Sequence, residues 1–163
     1  MKLKPQTTVF FSLLLVLAGI LGSWALGWWQ TESDKTPQRL ETTGETGEVG
    51  AYDPADIKGS YTLGEVSSLF EVPLQDLAGA FTVEEGKASA FKVKELETIF
   101  TDPDVEVGTS SLRLFVAWYK GLPYDLKEDS FLPAPAAALL REKATLNEDQ
   151  LAYLDTHTLP TPD

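Results

Sequence analysis

No cysteine occurs in the 163 residues. Thiolate-bound zinc, covalently attached c-type haem, cysteine-ligated iron–sulfur clusters and thiol catalysis are therefore excluded within this chain. Histidine occurs once, as His157, on a C-terminal segment where an exposed and idle ring is expected and no triad can be argued. Basic residues are scarce as well: 13 Lys and Arg stand against 25 Asp and Glu, for a net charge of −12. That balance repels nucleic acid and anionic lipid headgroups alike. The predicted site therefore contains no catalytic residue, cofactor or metal.

Long apolar runs are missing too, with one exception. Residues 9–29, VFFSLLLVLAGILGSWALGWW, form a stretch of 21 without a charge. At about 1.5 Å per residue a helix of that length crosses the roughly 30 Å hydrocarbon layer of a bilayer. Lys2 and Lys4 precede it and the first charge after it is Glu32. The positive-inside bias then holds residues 1–8 in the cytoplasm and sends everything after the span to the outer face of the cell (inner) membrane. Trp24, Trp28 and Trp29 fall toward the outer end, where indoles prefer the headgroup region. Ser23-Trp24-Ala25 offers a signal-peptidase site after Ala25 as the alternative, but the apolar run continues past it, which favours a retained single-pass anchor. An exported domain without disulfides must hold by apolar packing alone, or come from an anaerobe or a lineage that makes few of them.

Residues 30–50, QTESDKTPQRLETTGETGEVG, carry almost no large apolar side chain and read as a flexible acidic tether. As a coil its ends lie on the order of 25 Å apart. From residue 51 apolar residues recur at helical spacing, and residues 51–158 read as one small domain with a fraying tail at 159–163. Thr62-Leu63-Gly64-Glu65 is a capping box before Leu63, Val66, Leu69 and Phe70 on one helical face. Pro73 suits the start of a second helix carrying Leu74, Leu77, Ala78 and Phe81. Residues 82–89 read as a polar loop, and Phe91, Val93, Leu96, Ile99 and Phe100 as a third helix. Thr109, Ser110 and Ser111 offer caps for a fourth. That helix carries Leu112, Phe115, Val116 and Tyr119 on one stripe and Leu114 and Trp118 on another, ends at Gly121, and is the expected centre of the core. Pro133-Ala134-Pro135 opens a fifth segment with Ala138, Leu139 and Leu140. Thr145-Leu146-Asn147-Glu148 caps a last helix with Leu146, Leu151, Tyr153 and Leu154. The fold class expected is all-α: one N-terminal transmembrane helix plus five or six short helices.

Candidate chemistry is thin. Asp102, Asp104 and Glu106 alternate in a loop but lack the glycine and distal glutamate of an EF-hand, so they read as solvated charges. The unit from Thr62 to Phe81 has helix-turn-helix spacing, yet Gln75 and Asp76 stand where a groove-reading face needs basic or amide groups throughout. Trp118, Tyr119 and Tyr124 cluster around the Gly121 turn. Core packing is the favoured account for them, and an interaction surface the other.

Two resemblances bear on function. Tyr61-Thr62-Leu63 and Phe70-Glu71-Val72-Pro73-Leu74 resemble the LysM peptidoglycan-binding module, which closes with a returning strand that residues 82–90 offer only weakly. A wider match runs from Ile57 to His157. It is carried by Asp56-Ile57-Lys58-Gly59, Thr62-Leu63-Gly64-Glu65-Val66, Val72-Pro73-Leu74-Gln75-Asp76-Leu77, Phe91-Lys92-Val93-Lys94-Glu95-Leu96-Glu97, and Gly108-Thr109 leading to Val116-Ala117-Trp118-Tyr119-Lys120-Gly121. These phrases resemble a little-characterised helical domain that accompanies bacterial membrane redox proteins, either polyferredoxin-like 4Fe-4S or cytochrome-b-like. The resemblance implies a non-catalytic accessory module whose partners are the bilayer and a protein of a membrane redox complex. It implies no electron transfer by this chain. Peptidoglycan is the partner under the LysM alternative.

Overall fold

The computed structural model describes residues 36–40, 50–102, 105–125 and 130–160. The apolar run, with Trp24, Ala25, Trp28 and Trp29, lies outside these residues, as do 30–35, 41–49 and 161–163. Among the described residues no helix is long and apolar enough to cross a membrane. The chain divides into Met1–Lys35 and Thr36–Asp163, and every described helix and strand belongs to the second unit.

Helix α1, Leu63–Phe70, begins as the sequence predicts. The Thr62 hydroxyl accepts from the Glu65 amide at 3.1 Å and the Glu65 carboxylate accepts from the Thr62 amide at 2.7 Å. It stops at Glu71, whose φ of 55° places a non-glycine residue in the left-handed region. Helix α2, Leu74–Ala80, starts behind Pro73. The predicted polar loop instead holds a single helical turn, α3, Glu85–Ala88. Of its four residues only Ala88 is buried, so it carries too little apolar pattern to be read in advance.

The predicted third helix from Phe91 is corrected. Only Leu96–Ile99 is α-helical, here α4, preceded by a 3-10 turn at Val93–Glu95. The cause lies in the backbone. The Phe91 carbonyl accepts from the Leu63 amide at 2.9 Å and the Val93 amide donates to the Tyr61 carbonyl at 2.8 Å, so Thr62 and Lys92 form an antiparallel bridge where a helix was expected.

That bridge is the centre of an internal repeat with an offset of 30 residues (62 to 92). The Glu65 carboxylate accepts from the Thr62 amide and the Glu95 carboxylate from the Lys92 amide. Leu63, Val66 and Phe70 are buried in the first copy, Val93, Leu96 and Phe100 in the second. The two backbone bonds across the bridge exchange under the same offset, as a local two-fold relation requires.

Strands β1, Thr101–Asp102, and β2, Val105–Glu106, pair antiparallel and lead to α5, Thr109–Lys120. Its cap is Gly108, not the predicted Thr109, Ser110 or Ser111. The Gly108 amide donates to the Ser111 hydroxyl, which is fully buried in the first turn. Leu112, Leu114, Phe115, Val116, Ala117 and Trp118 are all buried, so α5 is the core helix on both of its apolar strips. It ends at Gly121 with φ 63°, and the Leu122 amide closes the turn onto the Ala117 carbonyl at 2.8 Å.

Strand β3, Leu132–Pro133, runs into α6, Ala134–Lys143, whose buried face is Ala136, Ala137 and Leu140. Helix α7, Glu148–Thr156, is capped by Asn147 and Gln150, not by Thr145 and Glu148. Both boxes are written in TLNEDQ; the second is used, which buries Leu154 and leaves Leu151 39% exposed. Strand β4, Thr158–Leu159, then lies parallel to β3, so Leu159, expected to fray, is paired with Pro133. The unit is mostly helical with seven α-helices among the described residues, and the expectation of an all-α domain gives way to one with two short ladders.

Part of the predicted tether also belongs to this unit. The Leu40 amide donates to the Ala51 carbonyl and the Asp53 amide to the Gln38 carbonyl, each at 2.8 Å, with Arg39 bridged to Tyr52. Residues 36–40 thus form a strap along residues 51–53.

Candidate functional site

The three aromatic residues singled out beside Gly121 have three different surroundings. Trp118 is 3% exposed and packs edge-on against Tyr153, with ring centres 5.6 Å apart. Tyr153 in turn donates its hydroxyl to the Ser130 carbonyl at 2.8 Å. For Trp118, core packing is what the structure has.

Tyr119 leans on Phe115 and donates its hydroxyl to Asp76 at 2.5 Å. The same carboxylate accepts from the Lys143 ammonium at 2.8 and 2.9 Å, so one aspartate joins α2, α5 and α6. Burial works to raise the Asp76 pKa, but the Lys143 and Tyr119 hydrogen bonds outweigh it and hold the carboxyl below its ordinary value. Tyr119 is pushed up to about 12, by burial first and by the adjoining Asp76 carboxylate second. A phenol held protonated in this way is a clamp between helices, and it is poorly suited to act as a base near neutral pH.

Tyr124 is half-buried and belongs to a cleft of about 340 Å³ that it lines with Leu40, Asp53, Arg113, Pro123 and Asp125. Arg113 reaches it from the first half of α5, its Nε donating to the Ile57 carbonyl at 2.8 Å. Burial raises the Tyr124 pKa, Arg113 opposes the rise, and Asp53 and Asp125 add to it. The cleft therefore offers an aromatic face, a guanidinium and two carboxylates.

A second cleft, of about 280 Å³, is lined by Arg39, Tyr52, Phe70, Glu71, Lys120 and Leu122. Arg39 bonds the Gly50 carbonyl and holds its guanidinium 4.6 Å from the centre of the Tyr52 ring. Lys120 and Glu71 meet loosely across the rim at 3.6 Å. Arg39 lines one cleft and its neighbour Leu40 the other, so the strap borders both.

His157 is not idle. Its ring stacks on Tyr153 at 3.9 Å, tilts against Phe131 at 5.0 Å, and its Nδ1 lies 2.8 Å from the Thr156 hydroxyl and 3.1 Å from the Tyr153 carbonyl. Tyr153 and His157 stand four apart, which is the one signal in the sequence for this contact. Neither the Asp76–Lys143 pair, 67 residues apart, nor the strap has any such signal. Asp102 and Asp104 have no described side chains, and Glu106 is exposed.

No known protein family, curated protein or solved structure matches this chain.

Proposed function

We propose that this protein is a membrane-anchored, exported, non-catalytic helical module that binds another protein, a component of a membrane redox complex. Residues 9–29 supply the anchor and the unit from Thr36 onward supplies the binding surface. The observation that carries the protein-binding reading is the Tyr124 cleft, where an aromatic ring, the Arg113 guanidinium and two carboxylates share one concave surface of about 340 Å³. The redox association rests on the resemblance, whose phrases at 56–66 and 91–97 form the two halves of the bridged repeat. The test is copurification from mildly solubilised membranes. A stable partner lost on Arg113→Ala supports the reading, and a chain that emerges alone contradicts it.

One observation favours a second reading. Thr62 is bridged antiparallel to Lys92 across α1, α2 and the single turn α3, a return contact at the place where the LysM resemblance asks for a closing strand. Sedimentation of the protein with purified peptidoglycan would favour that wall-binding alternative over the preferred partner class.

A further inference from the structure

The chain carries a net charge of −12, yet the cleft of about 280 Å³ has the opposite sign. Its charged lining is Arg39 and Lys120 against Glu71 alone, and Tyr52, Leu69 and Leu122 supply apolar walls. The Lys120 side chain keeps only 30% of its exposure, and among the described residues its ammonium makes no hydrogen bond, with the Glu71 carboxylate 3.6 Å away. A half-desolvated cation without a close acceptor favours an incoming anion. Two of the last α5 carbonyls, on Ala117 and Trp118, are taken by the Leu122 and Gly121 amides, which lessens the negative helix end that would otherwise offset this charge. Arg39 is held in place by the Gly50 carbonyl, by the Tyr52 hydroxyl at 3.4 Å and by the Tyr52 ring, so its positive field is fixed in advance. Glu71 delivers its carboxylate from a left-handed backbone, φ 55°, where glycine or asparagine sits at lower cost.

We propose that this cleft binds the free C-terminus of a polypeptide whose last side chain is apolar. A chain end carries an amide N–H, a carboxylate and a side chain on one Cα. The Lys120 ammonium donates to that carboxylate, and the Glu71 carboxylate accepts from that amide. The side chain then lies against Leu69, Leu122 and the Tyr52 ring. The loose Lys120–Glu71 pair is thus a donor and an acceptor set side by side for complementary groups on one carbon. An acidic side chain inside a partner presents its carboxylate with no apolar group beside it, and a simple fatty acid has no N–H for Glu71. This cleft and the Tyr124 cleft share no lining residue, so the proposal goes beyond the protein-binding reading of the latter.

The test uses full-length protein in detergent micelles at neutral pH, read by NMR shifts of the Tyr52, Glu71 and Gly121 amides. N-acetyl-L-leucine should bind saturably at about 1–10 mM. Its C-terminal amide, which lacks the carboxylate, should bind at least about tenfold more weakly. Isocaproate, without the N–H, and N-acetylglycine, without the side chain, should each lose about fivefold or more. Lys120→Gln should abolish the preference for acid over amide, and Lys120→Arg should keep most of it. Absence of any saturable shift with N-acetyl-L-leucine up to about 50 mM overturns the proposal, as does equal binding of acid and amide or an unchanged preference in Lys120→Gln. Isocaproate binding as well as N-acetyl-L-leucine overturns the chain end in favour of a plain organic acid. If a copurifying partner is lost on Arg113→Ala while no probe binds here, this proposal falls and the Tyr124 reading stands.

Discussion

Thr62 faces Lys92 across an antiparallel bridge, and each is the first residue of a turn whose glutamate, Glu65 or Glu95, folds back onto its amide. Around this pair the chain turns back twice in the same way, so two related apolar faces enter the core beside α5. The bridge depends on close approach of backbones: a Cβ on Gly64 would meet the Ser89 carbonyl oxygen at 2.6 Å.

Gly64→Ala should therefore destabilise by about 1–3 kcal/mol, since the obstacle is backbone and cannot rotate away. Gly79→Ala, in open space on α2, should be neutral or stabilise by up to about 1 kcal/mol. Urea unfolding of both variants checks the contrast, and the reverse order would contradict the close-approach account.

The Asp76 clamp predicts stability limits at both ends of the pH scale. Asp76 has a depressed pKa in the folded state, so its contribution is present above the ordinary carboxylate value of 3.8 and is lost as pH falls through the lower folded value. Tyr119 is raised from 10.0 to about 12, so its contribution is complete below pH 10 and disappears as pH climbs toward 12. Phenolate absorbance should show Tyr119 titrating late, toward 12, with Tyr124 also displaced upward. In Asp76→Asn that late step should move toward the ordinary range and the acid limb of the stability profile should flatten. Tyr119→Phe should cost about 1–2 kcal/mol.

His157 should prove structural. His157→Ala removes a ring stacked 3.9 Å from Tyr153 and 5.0 Å from Phe131, and should cost about 1 kcal/mol. The loss should be accompanied by faster exchange at the Leu132 amide, which donates to the His157 carbonyl. A neutral result would return His157 to the exposed role its position in the sequence suggests.

The range of each interaction decides how much of the fold was legible in the sequence. Helices α1, α2 and α5 are written in local signals: a Thr-x-x-Glu box, a proline start, a glycine stop and apolar residues three and four apart. The central place of α5 was readable because Leu114 and Trp118 add a second strip to Leu112, Phe115 and Val116. Short-range signals misled where two registers competed, as with Thr145 and Asn147, and where an amphipathic spacing was overridden by pairing at Phe91 and Val93. The Asp76, Tyr119 and Lys143 cluster was not legible at all, since its members come from three helices. Of the predicted aromatic surface, Trp118 went into the core, Tyr119 into the clamp, and Tyr124 into the cleft with Arg113.

The Arg113 guanidinium links that cleft to the frame through the Ile57 carbonyl. Arg113→Lys keeps the charge but cannot reproduce a fixed N–H fork, and should lower stability by about 1 kcal/mol. The same change should weaken recovery of any copurifying partner. Unchanged recovery with reduced stability would separate the structural role of Arg113 from recognition.

The central claim is that the folded unit stands outside the cytoplasm on a retained anchor. A reporter active only after export, fused behind Asp163, measures this directly, together with the N-terminal residue of the mature protein. The account predicts reporter activity in the membrane fraction and a chain that keeps residues 9–29; a silent reporter with the protein confined to the cytosol, or a mature protein beginning at Leu26, would contradict it.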